Sequence, residues 1–414
     1  MDRPKRRVLI IAYHYPPLAG AGMLKILRTT RYLAQYGWEP YVLTVKNPES
    51  YHRADNPIPE TVRVFRSWRI PGANLLARVL RRLKLDERWL LLPDQYLFWL
   101  PGTLIYGYYL LQKHQIDLIY VTAPPYSALV CGALLKRLTG KPLVADIRDP
   151  WSFNAARRGY PTTVHRWWDR LLERWVLKTA AFVTCIYQIT ERGYLQRYPW
   201  LHNKIKVFYD TVDCQDLPTK VESYAKFTLT YLGTFYPPFH TLRATLRGIR
   251  LLLDEGAITP ERFCFNYVGP RDKQFEQFVA DHNLTAVVRY AGYKPLHEVQ
   301  AETFKSQMLL LLLEFATINT KLFDYLAAGK AILAVVPEFP ELQELLDTYA
   351  DNYRKITDSD ERKIAEYIKQ CYNKYYQDGA AAPSAKQRLF IETLNIEKAT
   401  EGLSSVFDEV IARR

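Results

Sequence analysis

The second half of the chain contains the segment Thr320-Lys321-Leu322-Phe323-Asp324-Tyr325-Leu326-Ala327-Ala328-Gly329-Lys330. The apolar run Met308 to Leu313 before it predicts a buried strand. Thr320 is a favourable N-cap residue and Gly329 a favourable left-handed C-cap residue, so they predict a helix between them. The apolar run Ile332 to Val336 predicts a second buried strand. Together these elements form a β-α-β unit, whose helix begins where parallel sheets bind ligands.

Two charged residues mark the first turn of this predicted helix. Lys321, followed by Leu322, puts a cation at the positive end of the helix macrodipole. An anion bound there would relieve this conflict and accept hydrogen bonds from free backbone amides. Asp324 lies three residues later on the same face, within reach of sugar hydroxyls. The segment therefore predicts a site for a phosphate joined to a polyol; the alternative is a solvated helix face.

Composition indicates a globular protein with two domains. A chain of 414 residues is longer than a single hydrophobic core usually serves, so two domains are expected. Its composition, 48% hydrophobic and 24% charged residues, excludes a disordered chain. Five scattered cysteines without metal-ligand spacing favour a reducing, cytoplasmic setting. No apolar run approaches the roughly 20 residues that span a bilayer.

The formal net charge of +13 suggests a nucleic acid, an anionic lipid or a phosphorylated substrate as partner. Basic residues interleaved with Trp and Tyr favour an anionic membrane surface, which predicts peripheral association through helices of the first half. The segments concerned are Leu75 to Leu85, Trp89 to Trp99, Tyr106 to Tyr109 and Thr163 to Lys178. The alternative is a set of ordinary packed helices with solvated faces. No nucleic-acid partner is expected, because no basic run accompanies a base-reading motif.

The first half begins with a predicted buried strand, Val8 to Ala12, and a helix that follows Gly20 and Gly22. These glycines let a ligand approach the backbone. The third glycine and the acidic residue of a dinucleotide motif are absent, so no NAD site is expected. The alternative to a substrate loop here is a simple flexible turn. A strand from Leu143 ends in charged residues at the edge where α/β sites gather. These residues, Asp146, Arg148 and Asp149, are candidate functional groups, or an Arg–Asp pair that braces a loop.

The second half repeats the alternation of strands and helices after a polar linker, Asp210 to Tyr224. We therefore predict an α/β fold with two doubly wound, Rossmann-like parallel-sheet domains that face a cleft.

Five motifs in this order resemble the family-four retaining glycosyltransferases of the bacterial cell-envelope and exopolysaccharide type. They are Tyr13-His14-Tyr15-Pro16-Pro17 with Gly20 and Gly22, Gly37-Trp38-Glu39-Pro40-Tyr41-Val42-Leu43-Thr44, Ala123-Pro124-Pro125-Tyr126-Ser127, Asp146-Ile147-Arg148-Asp149-Pro150-Trp151, and the segment 320–330.

The resemblance implies a GT-B fold with three parts. These are an acceptor-binding domain (1–215), a nucleotide-sugar-binding domain (216–383), and a helical region (384–414) that crosses back to the first domain near Pro383 to Phe390. It implies a retaining, metal-independent sugar transfer from a nucleotide-diphospho-sugar to a lipid-linked or polysaccharide acceptor, without another cofactor. Helix N-termini and cations would neutralise the leaving diphosphate.

The resemblance also assigns roles to individual residues. Asp146, Arg148 and Asp149 form the expected catalytic, acceptor-side set. The expected donor-binding residues are Gly20, Gly22, Gly233, Thr234, Arg271, Glu314, Thr320, Lys321, Leu322 and Asp324. His14 stays outside the catalytic set as a structural histidine.

Two departures from the family pattern favour an alternative function. Where relatives carry the first of two acidic residues eight positions apart, this chain has Ala316, with Glu314 nearby as a substitute. The segment after the first strand of the second domain, Gly233 to His240, lacks the usual Arg and Lys, and Arg271 is a candidate replacement. The alternative is a transferase-like scaffold for envelope assembly that has lost turnover.

Overall fold

A computed structural model describes residues 6–19, 22–46, 48, 52–53, 56–71, 80, 82, 91–154, 159–235, 239–379 and 384–413. The chain divides into two compact units. Unit 1 consists of Met1–Asp210 and Ile396–Arg414, and unit 2 consists of Thr211–Asn395.

Unit 1 is built on a parallel sheet of seven strands in the order β5-β3-β1-β6-β7-β8-β9. Its strands are β1 (Arg6–Ile11), β3 (Trp38–Val45), β5 (Arg63–Ser67), β6 (Leu118–Ala123), β7 (Leu143–Ile147), β8 (Phe182–Cys185) and β9 (Ile205–Val207). A short antiparallel pair is formed by β2 (Leu18–Ala19) and β4 (His52–Arg53). The helices are α1 (Met23–Leu33), α2 (Leu100–Lys113), α3 (Tyr126–Thr139), α4 (Thr163–Thr179), α5 (Gln188–Arg197) and, at the end of the chain, the helix Ile396–Ala412.

The central strands of this sheet are buried on both faces, as their continuous apolar sequences require. Strand β1 pairs with β3 on one side and with β6 on the other. The chain order therefore reverses between β1 and β6, and such a switch point opens a crevice at the carboxyl ends of the strands. The loops that follow β1, β6 and β7 surround this crevice.

Unit 2 repeats the plan with six parallel strands in the order β12-β11-β10-β13-β14-β15. Its strands are β10 (Phe227–Leu232), β11 (Phe263–Val268), β12 (Val288–Tyr290), β13 (Met308–Leu312), β14 (Ala331–Val335) and β15 (Tyr353–Ile356). The helices are α6 (His240–Asp254), α7 (Lys273–Asp281), α8 (Leu296–Lys305), α9 (Lys321–Ala328), α10 (Pro340–Tyr349), α11 (Glu361–Asp378) and α12 (Ala385–Thr393); the terminal helix of unit 1, Ile396–Ala412, is α13. The switch point of this sheet lies between β10 and β13.

The β-α-β unit predicted around Lys321 is confirmed as β13-α9-β14, and Gly329 ends α9 with φ 61°. The predicted side-chain cap is wrong: Thr320 occupies the N-cap position but makes no capping hydrogen bond. Its backbone is helical (φ −60°, ψ −23°), whereas a capping side chain needs an extended backbone to reach the following amides.

The unit boundaries differ from the predicted ones at both ends of unit 2. The first unit ends at Asp210 rather than at residue 215, and the chain rejoins it only at Ile396. The predicted crossing near Phe390 therefore comes too early. Helix α12 belongs to unit 2 because Phe390 is buried there, 6.4 Å from the ring of Phe323 and 5.5 Å from that of Tyr349. Helix α13 packs against α1 within unit 1.

Candidate functional site

The switch point of unit 2 brings Lys321 and Gly233 into contact. Gly233 follows β10 with φ +102°, a conformation that suits glycine, and Lys321 opens α9 after β13. A Cβ atom on Gly233 would lie 2.6 Å from Lys321 Nζ, so the ammonium group rests directly on this glycine. Gly269, after β11, packs just as closely: its Cβ would lie 2.4 Å from the Gly233 carbonyl oxygen. Two sequence-predicted residues, Gly233 and Lys321, are therefore together.

Lys321 is a half-buried cation without a carboxylate partner among the described residues. Its Nζ lies 3.5 Å from the Tyr231 hydroxyl oxygen and 4.7 Å from the centroid of that ring. Desolvation by burial lowers the pKa of Lys321 to about 8. A lysine desolvated in this way gains from an anion beside it, which would restore its usual pKa.

The other predicted residues at the start of α9 differ in how deeply they are buried. Asp324 is half-buried in the first turn of α9, and Leu322 is buried in the core of unit 2. The amides of Leu322 and Phe323 donate to the carbonyl oxygens of Asn319 and Thr320, at 3.2 and 3.1 Å. The expectation of free amides therefore does not hold for these two positions, because a tight turn already uses them.

Glu314 lies half-buried in the loop after β13, where its Oε1 accepts a hydrogen bond from Thr241 Oγ1 at 2.9 Å. Thr241 belongs to the first turn of α6, so the bond ties the α9 loop to a second helix start. Ala316, where relatives carry the acidic residue, is exposed. The role of Glu314 as its substitute stays a prediction.

Thr234 and Arg271 are exposed at the same edge of the sheet. The carbonyl oxygen of Thr234 accepts a hydrogen bond from the Tyr231 hydroxyl at 3.0 Å. The Arg271 guanidinium donates two hydrogen bonds to the Glu276 carboxylate in the first turn of α7. Because this ion pair already neutralises its charge, Arg271 is a weaker candidate for a diphosphate ligand than Lys321.

Sequence reasoning missed the aromatic support of the Lys321 site. Tyr231 stacks on Phe235 with centroids 4.5 Å apart, and Phe235 stacks in the same way on Tyr267. Tyr231 carries the ring that faces the Lys321 ammonium, a cation–π contact. The signal was available, since β11 alternates aromatic residues up to Tyr267 and β10 has Tyr231 near its carboxyl end.

In unit 1, Asp146 is fully buried within β7 and has partners at both oxygens. Oδ1 accepts hydrogen bonds from Lys25 Nζ at 2.7 Å and Thr184 Oγ1 at 2.8 Å, and Oδ2 accepts one from Thr122 Oγ1 at 2.8 Å. Burial would raise the pKa of Asp146, but the Lys25 charge and these hydrogen bonds outweigh it and lower the pKa. A carboxylate without exposed surface is placed to hold Lys25 rather than to contact an acceptor.

Arg148 follows β7 and is 5% exposed. Its Nε donates to Thr122 Oγ1 at 3.2 Å and its Nη2 to the Pro124 carbonyl oxygen at 3.0 Å. The predicted alternative, an Arg–Asp pair that braces a loop, is not found among the described residues, because the salt bridge of Asp146 is formed with Lys25. The guanidinium instead packs on Gly22, the N-cap of α1. Gly20 lies outside the described residues.

Asp149 and His14 share the neighbourhood of Arg148. Burial raises the pKa of Asp149, against the attraction of Arg148. Burial, and then the Arg148 charge, lowers the pKa of His14 to about 4, so this imidazole is neutral at pH 7. The structure brings all three predicted catalytic residues to one strand end. The catalytic roles of Arg148 and Asp149 stay predictions, whereas buried Asp146 holds Lys25.

Helix α4 supports the chain that follows Arg148. Asp169 Oδ1 accepts a hydrogen bond from the Trp151 indole at 2.8 Å. The buried Glu173 carboxylate accepts hydrogen bonds from the Ser152 amide at 3.1 Å, the Ser152 hydroxyl at 2.6 Å, and the hydroxyls of Tyr194 and Tyr198. Sequence reasoning did not find this support, because acidic residues in a basic helix suggest surface ion pairs.

The structure describes only part of the basic and Trp-rich segments. The predicted helix Leu75 to Leu85 lies outside the described residues except for Leu80 and Arg82, and the segment from Trp89 is described from Leu91 onwards. The helix predicted from Thr163 is confirmed as α4. Among the described helices, none has the length and hydrophobicity needed to cross a membrane. No cluster of three or more His, Cys, Asp or Glu in the described part of the chain could hold a metal ion.

Comparison with known sequences gives one family. Residues 20–208 match the Glycosyl transferase 4-like domain. This match confirms the predicted resemblance within the first unit. Among curated proteins, none matches the chain.

Comparison with solved structures covers the whole chain. Sucrose-phosphate synthase from Thermosynechococcus elongatus superposes with a TM-score of 0.69 at 14% identity, over 99% of this chain and 100% of that one. Anabaena HepE, solved with UDP and glucose, gives 0.66 at 13% identity over 98% and 100%. WaaG, a glycosyltransferase involved in lipopolysaccharide biosynthesis, gives 0.61 at 13% identity over 96% and 99%. These similarities confirm the predicted GT-B fold.

Proposed function

We propose that this chain, a glycosyltransferase of the family-four, GT-B type, transfers a sugar from a nucleotide-diphospho-sugar to a lipid-linked or polysaccharide acceptor. The acceptor would be an envelope or exopolysaccharide precursor, and the transfer would retain the anomeric configuration and need no metal. The observation that carries the proposal is the Lys321 ammonium, which lies desolvated on Gly233 at the switch point of unit 2 without a carboxylate partner in the described chain.

Each part of the donor has a matching group in unit 2. Lys321 would neutralise the charge that develops on the leaving diphosphate, which is the main task of catalysis in such a transfer. Gly233 lets the diphosphate approach the backbone because it has no side chain. Asp324 would accept hydrogen bonds from the ribose hydroxyls. That HepE was solved with UDP and glucose supports a nucleotide-sugar donor for this fold.

The reaction is tested with the purified chain and a panel of UDP-, GDP- and ADP-sugars, using extracted envelope lipids and oligosaccharides as acceptors. We expect one donor to be consumed, and the matching nucleoside diphosphate to raise the melting temperature. The variant K321M should weaken both responses. K330M is the matched control, because Lys330 is another lysine whose pKa is lowered by burial, at the opposite end of α9. Absence of donor turnover and of stabilisation by every diphosphate would refute the proposal.

We further propose that unit 1 binds an anionic membrane surface through the helices α2, α3 and α4. Helix α3 packs against both of the others. The sequences of α2 and α3 contain no acidic residue, and the two acidic residues of α4, Asp169 and Glu173, are buried. The outward faces of these helices therefore carry only basic charges, among which exposed apolar side chains are interspersed. Those side chains are Ile105, Tyr108, Tyr109, Leu138, Val164, Trp167 and Trp168.

Charge of one sign beside exposed tryptophans suits an anionic lipid headgroup region. Flotation with vesicles tests this part: the chain should bind vesicles that contain phosphatidylglycerol and leave neutral phosphatidylcholine vesicles unbound. The variant W168S/R170Q should bind the anionic vesicles several-fold more weakly. The control L389S/R388Q, which removes an exposed apolar residue and an arginine from unit 2, should bind as the wild type does. Equal binding of all three proteins would contradict the lipid surface on α4.

The scaffold alternative keeps one specific observation in its favour, the exposed Ala316 where relatives carry an acidic residue. The variants K321M and D324N separate the two functions in a cell that depends on this chain. A scaffold would keep its cellular role in both variants, whereas a transferase would lose it.

A further inference from the structure

Unit 1 contains a cavity between helix α4 and the loop that follows β7. Trp151 and Tyr160 of the loop line it, together with Arg166, Asp169 and Arg170 of the helix. Its volume is about 70 Å³. A cavity needs about 10–15 Å³ to hold one water molecule, so this one has room for about five atoms of that size. A phosphate group, with four oxygens around one phosphorus, therefore fits.

Two arginines of α4 supply the positive charge of this cavity. Arg166 and Arg170 lie four residues apart, so they are neighbours on one face of the helix. Both are exposed, and neither side chain has a hydrogen bond or a carboxylate partner among the described residues. Like charges at this spacing repel each other and destabilise a helix. A phosphate bound between them would remove this cost, because the paired donors of a guanidinium match phosphate oxygens.

The two carboxylates of α4 are occupied by other contacts. Asp169 is 3% exposed; its Oδ1 accepts a hydrogen bond from Trp151 Nε1 at 2.8 Å and lies 3.1 Å from the Tyr160 hydroxyl oxygen. Glu173, one turn further along, is fully buried and accepts hydrogen bonds from Ser152 and from two tyrosine hydroxyls. Two exposed cations of the cavity therefore face one carboxylate that is already hydrogen-bonded.

Two tryptophans of α4 relate the cavity to a membrane. Trp167 and Trp168 directly follow Arg166, and their exposed fractions are 55% and 52%. Tryptophan rings favour the headgroup level of a bilayer, which is also the level of the lipid phosphates. If α4 lies on a membrane through these rings, the cavity one turn away is at the depth of those phosphates.

We propose that the cavity between α4 and the loop after β7 binds the phosphate group of a membrane lipid, with Arg166 and Arg170 as its ligands. The lipid is either an anionic phospholipid or a polyprenyl phosphate that carries the acceptor; both present the same group. The inference rests on the proposed membrane association of unit 1 and adds a specific headgroup site to it. The candidate acceptor-side residues Arg148 and Asp149 do not line this cavity.

Titration calorimetry on the full chain tests the site with farnesyl phosphate, monomeric dihexanoyl phosphatidylglycerol and inorganic phosphate. R166Q and R170Q should each weaken lipid binding about fivefold, the usual contribution of one basic residue beside lipid phosphates. G159L should weaken it as well: Gly159 lines the cavity, and a Cβ atom there meets no atom within 4 Å, so the leucine side chain can enter the cavity. R174Q is the matched control. It removes an exposed arginine from the next turn of α4, outside the cavity, and should bind these probes as the wild type does.

The two lipid probes separate the sources of the phosphate. Farnesyl phosphate that binds more tightly than phosphatidylglycerol, and through Arg166, identifies the acceptor lipid. Phosphatidylglycerol that binds at least as tightly identifies a bulk phospholipid. The inference is overturned if R166Q, R170Q and G159L, shown to be folded by circular dichroism, bind both lipids as wild type does, or if R174Q weakens binding equally. It is also overturned if inorganic phosphate binds as tightly as the lipids, or if wild type binds neither lipid.

Vesicle flotation and donor turnover distinguish this failure from that of the proposed function. A wild-type chain that floats with anionic vesicles, while the three cavity variants bind the lipid probes unchanged, refutes the headgroup site alone. A chain that binds a lipid probe through Arg166 and Arg170, but neither floats with anionic vesicles nor consumes any donor, refutes the proposed function alone.

Discussion

Replacing Lys321 by Met should make the unliganded protein more stable and its diphosphate binding weaker. Met keeps the length of the side chain and suits a helix. The pKa of Lys321 is lowered from 10.5 to about 8. At about 1.36 kcal/mol per pKa unit, burial of the charged ammonium costs the unliganded protein up to about 3 kcal/mol below pH 8. Partial exposure of the side chain reduces the expected gain to about 1–3 kcal/mol.

The sign of this effect follows from proton linkage. Because the pKa is lower in the folded than in the unfolded chain, the cost is complete below pH 8 and disappears as the pH rises from 8 to 10.5. The advantage of K321M should therefore be largest at pH 7. In a thermal scan it corresponds to an increase of about 2–4 °C in melting temperature per kcal/mol.

Calorimetric titration with UDP supplies the second half of the test. A hydrogen bond to a charged group contributes about 1.5–3 kcal/mol, so K321M should bind UDP about ten- to hundredfold more weakly. K330M also removes a buried lysine charge and should be stabilised, but it should bind UDP as wild type does. If K321M is less stable than wild type and keeps its UDP affinity, Lys321 is a structural residue and the reasoning fails.

Four further outcomes follow from the same contacts. UDP binding to the wild type should weaken between pH 7 and pH 9.5 as Lys321 loses its proton, with calorimetry on K321M giving a flat profile; parallel profiles would argue against a role for that ammonium. G233A should cost about 1–3 kcal/mol in backbone strain and weaken UDP binding, because its methyl group displaces Lys321; unchanged affinity would contradict the contact. E173Q should lower the free energy of unfolding measured in urea by about 1–3 kcal/mol, since an amide nitrogen cannot accept the hydrogen bonds of the carboxylate; wild-type stability would exclude this support. R148Q should raise the pKa of His14 above about 4 in an NMR titration, because a nearby positive charge is removed while burial remains; an unmoved pKa would place Arg148 away from the imidazole.

The sequence was sufficient for the elements with a continuous apolar core. Strand β13, predicted from Met308 to Leu313, differs from the prediction by one residue at its end, and β14, predicted from Ile332 to Val336, is shifted by one residue at both ends. Two of the edge strands were not predicted: β5 (Arg63–Ser67) and β15 (Tyr353–Ile356) carry polar residues and pair on one side only. A strand at the edge of a sheet is less buried, so its sequence lacks the continuous apolar run from which a buried strand is predicted.

In the candidate site, too, some features could be predicted from the sequence and others could not. Gly233 and Lys321 could be placed together, because parallel strands that flank a switch point deliver their loops to one edge. The partners of Arg271 and Glu314 could not be predicted, since an ion pair to α7 and a hydrogen bond to α6 depend on side-chain directions. Asp146 was expected to line an acceptor site, and only packing shows that its oxygens are used within the core.

The position of the donor diphosphate tests the central claim most directly. A crystal structure of the full chain soaked with the nucleoside diphosphate that stabilises it best would show this position. The account predicts diphosphate density within hydrogen-bond distance of Lys321 Nζ, against the bare backbone of Gly233. Density for the diphosphate at another place, with the Lys321 ammonium still resting on Gly233 and in contact with no phosphate oxygen, would contradict it.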